Sequence, residues 1–297
     1  MDNHTCPFCG SSQMRLHHPA VWNRPESKVY QCEQCELIYL FPAMSEGEEK
    51  AFYLNYNRHV MTRLENGDLS IGAQFEAALQ EGQRRISALR PYLDPSMRVL
   101  EIGSATGAFL FLLRDEVQEV LGVEPSRAHA AHMASLGIPH VADISDLSMV
   151  QRDTFHGIAL FHVLEHIRDP LSYLTLLREH HLVPGGFLWI EVPNVDDALL
   201  SLYECTPFAD FYYQAMHHYY FSARTLSSLT ERAGFTTIEL IPVQRYDLSN
   251  HLHWLHQGKP GGAGKYRDIF PESLDAAYAD CLKERFLCDT ILGVFRS

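Results

Sequence analysis

Several things are scarce in this sequence, and each scarcity excludes a class of protein. No apolar run approaches the roughly 18 residues that cross a bilayer; the longest, Ala108 to Leu113, has six. The start, Met1-Asp2-Asn3-His4-Thr5-Cys6, lacks the basic and apolar stretches of a secretory signal. The expected location is therefore cytoplasmic, with no membrane contact. Basic residues are outnumbered, 24 against 37 acidic, for a net charge of −13. Such a surface repels phosphate backbones, which makes nucleic acid an unlikely partner. The first fifty residues do not reverse this: Arg15, Arg24, Lys28 and Lys50 face seven acids. Low-complexity tracts and internal repeats are also missing. What remains is 46% hydrophobic and 21% charged over 297 residues, an ordinary globular balance with room for two domains.

The seven cysteines are unevenly placed. Four form Cys6-Pro7-Phe8-Cys9 and Cys32-Glu33-Gln34-Cys35, two C-x2-C pairs separated by 22 residues. Each pair suits a tight knuckle, and two knuckles make a tetrahedral four-sulfur site that favours zinc. Gly10 gives the first knuckle backbone freedom. The alternatives are redox dithiols or unrelated core thiols. A site filled by four sulfurs has no open position, so the expected zinc is structural, holding a ribbon over 1–42 too small to build its own core. Cys205, Cys281 and Cys288 lack such spacing and read as core or surface thiols.

Residues 43–95 read as a largely helical linker, with helical spacing over 71–93; Tyr53 and Tyr56 there are candidates for a lid. From 96 to 297 strands and helices alternate. Strands are expected at 97–102, 117–123, 138–141, 155–161, 187–192, 236–243 and 290–295. Helices are expected at 108–114, 126–136, 170–179 and 222–233. This pattern predicts an α/β fold with a mostly parallel, Rossmann-like sheet covered on both faces. Insertions near 193–221 and 244–285 are expected to carry the acceptor site.

Ligands of such sheets bind beyond the carboxyl ends of the strands. The first strand there ends in Glu101-Ile102-Gly103-Ser104-Ala105-Thr106-Gly107. The second ends in Glu124, 23 residues after Glu101. A glycine loop followed by an acid that can accept both ribose hydroxyls points to a nucleoside cofactor, with a plain glycine turn as the alternative. The G-x-G-x-x-G spacing and the P-loop Gly-Lys-Ser/Thr are both absent.

Taken in order, these segments resemble class I S-adenosylmethionine-dependent methyltransferases. The likeness rests on Val99 to Gly107, Gly122 to Ser126, Phe155 to His166, Leu182 to Leu188 and Asp289 to Phe295, and spans about residues 80–297. It implies a last strand inserted antiparallel. It also implies that Glu101, Gly103, Ala105 and Gly107 line the methionine part of S-adenosylmethionine. Glu124 would hold the ribose, Pro125, Asp143 and Ile144 the adenine, and Phe161 and His162 the region of the methyl group. Ala105 departs from the usual glycine and fits if its φ is negative.

The ribbon joined to this core looks like the bacterial sugar C-methyltransferases acting on nucleotide-linked deoxyketosugars. Their Glu-His pair precedes Tyr-Phe-Ser; here His217 and Tyr220-Phe221-Ser222 are present, but Met216 replaces the glutamate. The resemblance implies a small-molecule acceptor, such as a nucleotide sugar or natural product, and a histidine base, with His217, His162 and Tyr220 as candidate catalytic residues. A second cluster, His251, His253, Trp254 and His256, is a candidate acceptor wall. His162-Val163-Leu164-Glu165-His166 also fits the H-x-x-E-H zinc-protease pattern, but His162 is expected to end a strand and no third ligand is apparent. Two other functions stay open: a cofactor-binding scaffold without turnover, and a zinc-ribbon RNA or protein methyltransferase. Oligomeric state is not legible.

Overall fold

The computed structural model describes residues 4–45, 47–49, 70–150 and 154–297. Tyr53 and Tyr56, the candidate lid, lie outside the described residues. Near the N-terminus, β1 (Met14–His18), β2 (Lys28–Cys32) and β3 (Ile38–Phe41) form an antiparallel meander. The two cysteine knuckles sit at one end of it. They are built alike: Gly10 N donates to Cys6 O and Glu36 N to Cys32 O. The residue after each pair is left-handed, Gly10 at φ 75 and Glu36 at φ 64.

The segment read as a linker contributes α1 (Ile71–Leu89), capped by Ser70, whose hydroxyl accepts from Ala73 N. Its apolar stripe, Phe75, Gly82, Ile86 and Leu89, is buried. This helix belongs to the core. It packs on α2 (Ala108–Leu113), where a Cβ on Gly82 would lie 3.0 Å from Leu112.

Beyond it come β4 (Arg98–Ile102), β5 (Glu119–Val123), α3 (Arg127–Ser135), β6 (His140–Val141), β7 (Phe155–Phe161), α4 (Pro170–Leu176) and β8 (Leu182–Pro193). The chain continues with α5 (Ala198–Ser201), α6 (Thr206–Tyr212), β9 (Tyr219–Tyr220), α7 (Ala223–Arg232) and β10 (Thr236–Val243). It closes with α8 (Leu248–Gln257), α9 (Glu272–Lys283) and β11 (Thr290–Arg296). Seven strands make one sheet in the order β10-β11-β8-β7-β4-β5-β6. The pairs among β4, β5, β6, β7 and β8 are parallel, and β11 runs antiparallel to both neighbours, as the resemblance implies. The order reverses at β4, so the crevice beyond β4 and β7 is where a ligand fits. Two apolar cores flank the sheet, one including Leu100, Leu160 and Ile190, the other Val99, Ala159 and Trp189. Among the described residues no helix is long and apolar enough to cross a membrane.

The ribbon is not a separate appendage. Tyr219 and Tyr220 of β9 pair with Tyr39 and Ile38, extending its sheet to four strands. Trp22 N donates to Tyr213 O at 2.7 Å and Leu40 N to His218 O at 3.0 Å. Val21, Val29, Ile38 and Leu40 share a buried cluster with Val195, Tyr213, Met216 and Tyr220. The meander therefore finds in residues 195–220 the core it is too small to supply itself.

Candidate active site

The strand ends build the first half of the site. Glu101 lies in β4, and Glu124 follows β5, both buried. The turn between them closes when Gly103 N and Ser104 N donate to Val123 O. Gly103 is left-handed at φ 71, and a Cβ there would lie 2.5 Å from Val163 Cγ2. Gly107 caps α2 at φ 76, where a Cβ would meet Ile138 and Met133 at 2.9 Å. The expected negative φ at Ala105 is overturned: it sits at φ 46. An L-residue is strained there by about 1–2 kcal/mol. The conformation aims Ala105 N at Glu124 Oε2, 2.7 Å away, while Ser126 N donates to Oε1 at 2.7 Å. Glu124 is thus fixed by backbone and keeps lone pairs for further donors. Pro125 and Asp143 are exposed beside it. Asp143 accepts from Ser145 N and Oγ, which holds its pKa below the usual value. Ile144, half-buried, follows it.

Glu101 is the informative residue. Its Oε2 is buried without a partner among the described residues. Burial pushes its pKa up to about 8, and Glu124 adds to the rise against the pull of Arg85. A buried carboxyl with an open acceptor suits a cationic ligand. Binding a cation there would ionise Glu101. At pH 7 such binding is expected to release close to one proton, and affinity should rise from pH 6 to 8. Calorimetry in buffers of different ionisation enthalpy checks this; no proton release would remove Glu101 from the ligand's contacts.

The second half is built at the end of β7. Phe161 is buried against Phe109, and Arg85 lies 4.4 Å above its ring. His162 turns to φ 56 while its N–H donates to Glu191 O. Its Nε2 stands 3.2 Å from Glu191 Oε1, and its Nδ1 3.7 Å from Glu165 Oε1. Burial opposes charging of His162, but bonding to Glu165 and Glu191 outweighs it, so its pKa is raised. Glu191, fully buried in β8, also receives Arg84 at 2.7 Å and Arg85 at 2.6 Å from α1. Burial favours its neutral form, yet these cations hold its pKa well below the ordinary range. Arg245, after β10, is pinned by Asp289 at 2.9 Å and reaches His162 at 3.3 Å. Arg84, Arg85, Glu191 and Arg245 have no motif signal in the sequence.

The third wall comes from the loop before β9. His217 is buried, with Gln214 Nε2 3.0 Å from its Nε2 and the His166 ring 4.7 Å away, edge on. The Tyr220 hydroxyl accepts from Gln214 N at 3.0 Å and donates to Gln214 O at 3.1 Å, fastening this loop; its described contacts are structural. Met216 is part of the apolar seam with the ribbon, which explains a methionine where a glutamate was expected. A carboxylate does stand near His217, but from another element: Glu165, on the turn Leu164–His166.

The candidate acceptor wall at 251–256 is largely interior. The α8 segment was not expected to be helical, and it buries His251, His253 and Trp254. His251 Nδ1 bonds the Tyr278 hydroxyl at 2.6 Å, and burial lowers its pKa to about 4. Trp254 packs between Phe208 and Phe211. These side chains hold a helical cap together.

At the ribbon's end, Cys6 and Cys35 sulfurs are 3.5 Å apart, as are those of Cys9 and Cys32, and all four lie within 4.8 Å. Zinc–sulfur bonds of about 2.3 Å place tetrahedral sulfurs about 3.8 Å apart, so the four thiols fit one ion.

A family of methyltransferase domains matches residues 74–240. The chain belongs to it. The segment from α1 to β10, including Glu101, Glu124 and His162, is thus a methyltransferase domain. A tRNA U34 carboxymethyltransferase of Dichelobacter nodosus is 32% identical over 149 residues, 46% of this chain and 45% of that protein. The C-methyltransferase NovU of Streptomyces niveus is 28% identical over 154 residues, 48% of this chain and 33% of that protein. The chain spans less than half the length of these relatives. Among solved structures, a SAM-dependent methyltransferase from Archaeoglobus fulgidus superposes with a TM-score of 0.51 at 18% identity, covering 75% of this chain and 96% of that one. That likeness supports the class I methyltransferase fold.

Proposed function

We propose that this chain transfers a methyl group from S-adenosylmethionine to a small-molecule acceptor bearing an acidic C–H or O–H, with nucleotide-linked sugars or natural products as the class. The observation that carries the reading is the pair of buried acids at neighbouring strand ends, one with an oxygen unpartnered among the described residues and one fixed beside a left-handed loop. Glu101 would hold the ammonium of the methionine, with Gly103, Ala105 and Gly107 around its chain. Glu124 would accept from the ribose hydroxyls, and Pro125, Asp143 and Ile144 would border the adenine. When bound, the cofactor supplies a methyl on a sulfonium, an activated electrophile. The protein must then align the acceptor and take its proton.

We assign proton removal to His162. It stands beside Phe161 at the strand end, and Glu191 orients its ring, the arrangement of a positioned general base. His217 belongs to the acceptor wall, held there by the loop that Tyr220 fastens. We assign one structural zinc to Cys6, Cys9, Cys32 and Cys35 and place the protein in a reducing, cytoplasmic setting. The likeness to NovU supports a small acceptor. The likeness to the tRNA U34 carboxymethyltransferases supports a second reading, an RNA acceptor, against which the charge of −13 weighs.

The test is cofactor affinity in Glu124→Ala, followed by an acceptor screen beginning with nucleotide sugars. The loss expected is about 1.5–3 kcal/mol, the range for bonds to a charged group. Unchanged affinity would refute the ribose assignment. Binding without turnover on any acceptor would favour a scaffold. Retention of tRNA that falls steeply with salt would favour the RNA reading.

A further inference from the structure

The H-x-x-E-H segment has one feature that methyl transfer as described does not use. Glu165 is 1% exposed, and its Oε2 has no partner among the described residues. Its Oε1 is 4.0 Å from His166 Nε2. One ligand atom each of Glu165, His166 and His217 lies within 4.8 Å of the others. First-row divalent ions bond such donors at about 2.0–2.2 Å, so tetrahedral or cis ligands stand about 3.0–3.5 Å apart. From separations within 4.8 Å, the donors must draw in by no more than about 1–2 Å to close on an ion.

The surroundings are those of a held donor set, with the Gln214 amide 3.0 Å from His217 Nε2 and 3.4 Å from its Nδ1, a contact that an entering ion would displace. With Nδ1 protonated, His166 donates to Met216 O at 3.1 Å, which leaves Nε2 as the lone pair facing Glu165. A backbone partner on the second ring nitrogen is what fixes a metal-binding imidazole. The two contributing segments are also tied together, because His218 N donates to Glu165 O at 2.8 Å. The protease pattern itself is not realised. His162 ends β7, and the third donor, His217, comes from the loop that precedes β9.

We propose that Glu165, His166 and His217 form a second metal site, distinct from the four-cysteine ribbon, for a first-row divalent ion with open positions. Two imidazoles and one carboxylate suit such ions, whereas four thiolates suit zinc. An acceptor oxygen entering an open position would become more acidic. The proton of a hydroxyl so bound would pass to His162 and its oxygen would take the methyl as the carbon–sulfur bond breaks, leaving S-adenosylhomocysteine; with a carbonyl oxygen bound, the proton would leave the carbon alpha to it and that carbon would take the methyl. That role rests on the methyl-transfer reading; binding of the ion does not.

The test is titration of the folded, zinc-loaded protein with cobalt(II) alone, without cofactor or acceptor. We expect one added equivalent with weak visible bands and no sulfur-to-cobalt charge transfer. Glu165→Gln and His217→Gln should each weaken it tenfold or more while S-adenosylmethionine affinity, measured separately, persists. Should Glu165→Gln fail to fold, His217→Gln and His166→Gln decide. No added equivalent in the wild type, a sulfur charge-transfer band in its place, or affinity unchanged in the folded variants would overturn the proposal. Failure to bind S-adenosylmethionine would instead count against the methyl-transfer reading.

Discussion

Glu191→Gln is expected to destabilise the protein by about 3–5 kcal/mol, the usual cost of removing one partner from a buried ion network. Arg84, Arg85 and His162 all converge on this fully buried carboxylate, and neutralising it leaves the Arg85 guanidinium without that counter-charge, while Arg84 keeps Glu81 at 2.7 Å. The urea midpoint should fall with little change in slope. Arg85→Gln in the same background should cost less than it does alone, because the two changes share one interaction. The pH dependence carries a sign. Glu191 has a depressed pKa, so its contribution is complete above the ordinary value of 4.5 and is lost as pH falls below it. His162 has a raised pKa, so its contribution is complete below 6.5 and is lost as pH rises through the folded value. The network should therefore stabilise most between about pH 4.5 and 6.5, and the variant should lose that maximum. Turnover should fall as well, since His162 loses its orienting carboxylate. A variant as stable as wild type at pH 6 would show that the network is not held as described.

Removing the zinc proposed for the four cysteines, or replacing Cys32 by Ser, should have the second large effect, and much of it far from the cysteines. The meander has little core of its own, and zinc supplies folding free energy to such modules, about 10–16 kcal/mol in small finger peptides. Once β2 and β3 loosen, β9 loses its pairing partner and the loop with His217 loses the apolar seam at Met216. Hydrogen exchange should accelerate at residues 28–41 and also at 213–220. Cofactor affinity should be largely kept, because Glu101 lies in β4 and Glu124 directly follows β5, strands the ribbon does not pair with, while methyl transfer is lost. Unchanged protection at 213–220 would mean the acceptor wall stands without the ribbon.

How much of this was legible follows from the physics of each element. The strands at 155–161 and 236–243 match the expected bounds because short apolar runs between turn signals have few other uses. The glycine loop and its two acids lie at the ends of β4 and β5, where the strand–turn–helix pattern of the sequence puts them. Helix α8 was not: its buried face is Ser249, Asn250, His251, His253 and Trp254, residues that hydropathy assigns to water. Nor could the arginines of α1 be tied to Glu191, which lies 106 positions from Arg85. Contacts of that range leave no periodicity. Ala105 erred for a local reason: its φ is set by the Glu124 carboxylate that its N–H must reach.

The shared strand also bears on how the chain is made. β3 precedes β9 by 178 positions, counted from Phe41 to Tyr219. At about 5–20 residues per second, roughly 10–40 s of synthesis separate them. During that interval the meander, with or without a metal at its cysteines, offers the backbone of Ile38–Phe41 as an open edge, the kind of surface that recruits foreign strands. The nascent chain is therefore most exposed to mispairing while its catalytic half is still being translated.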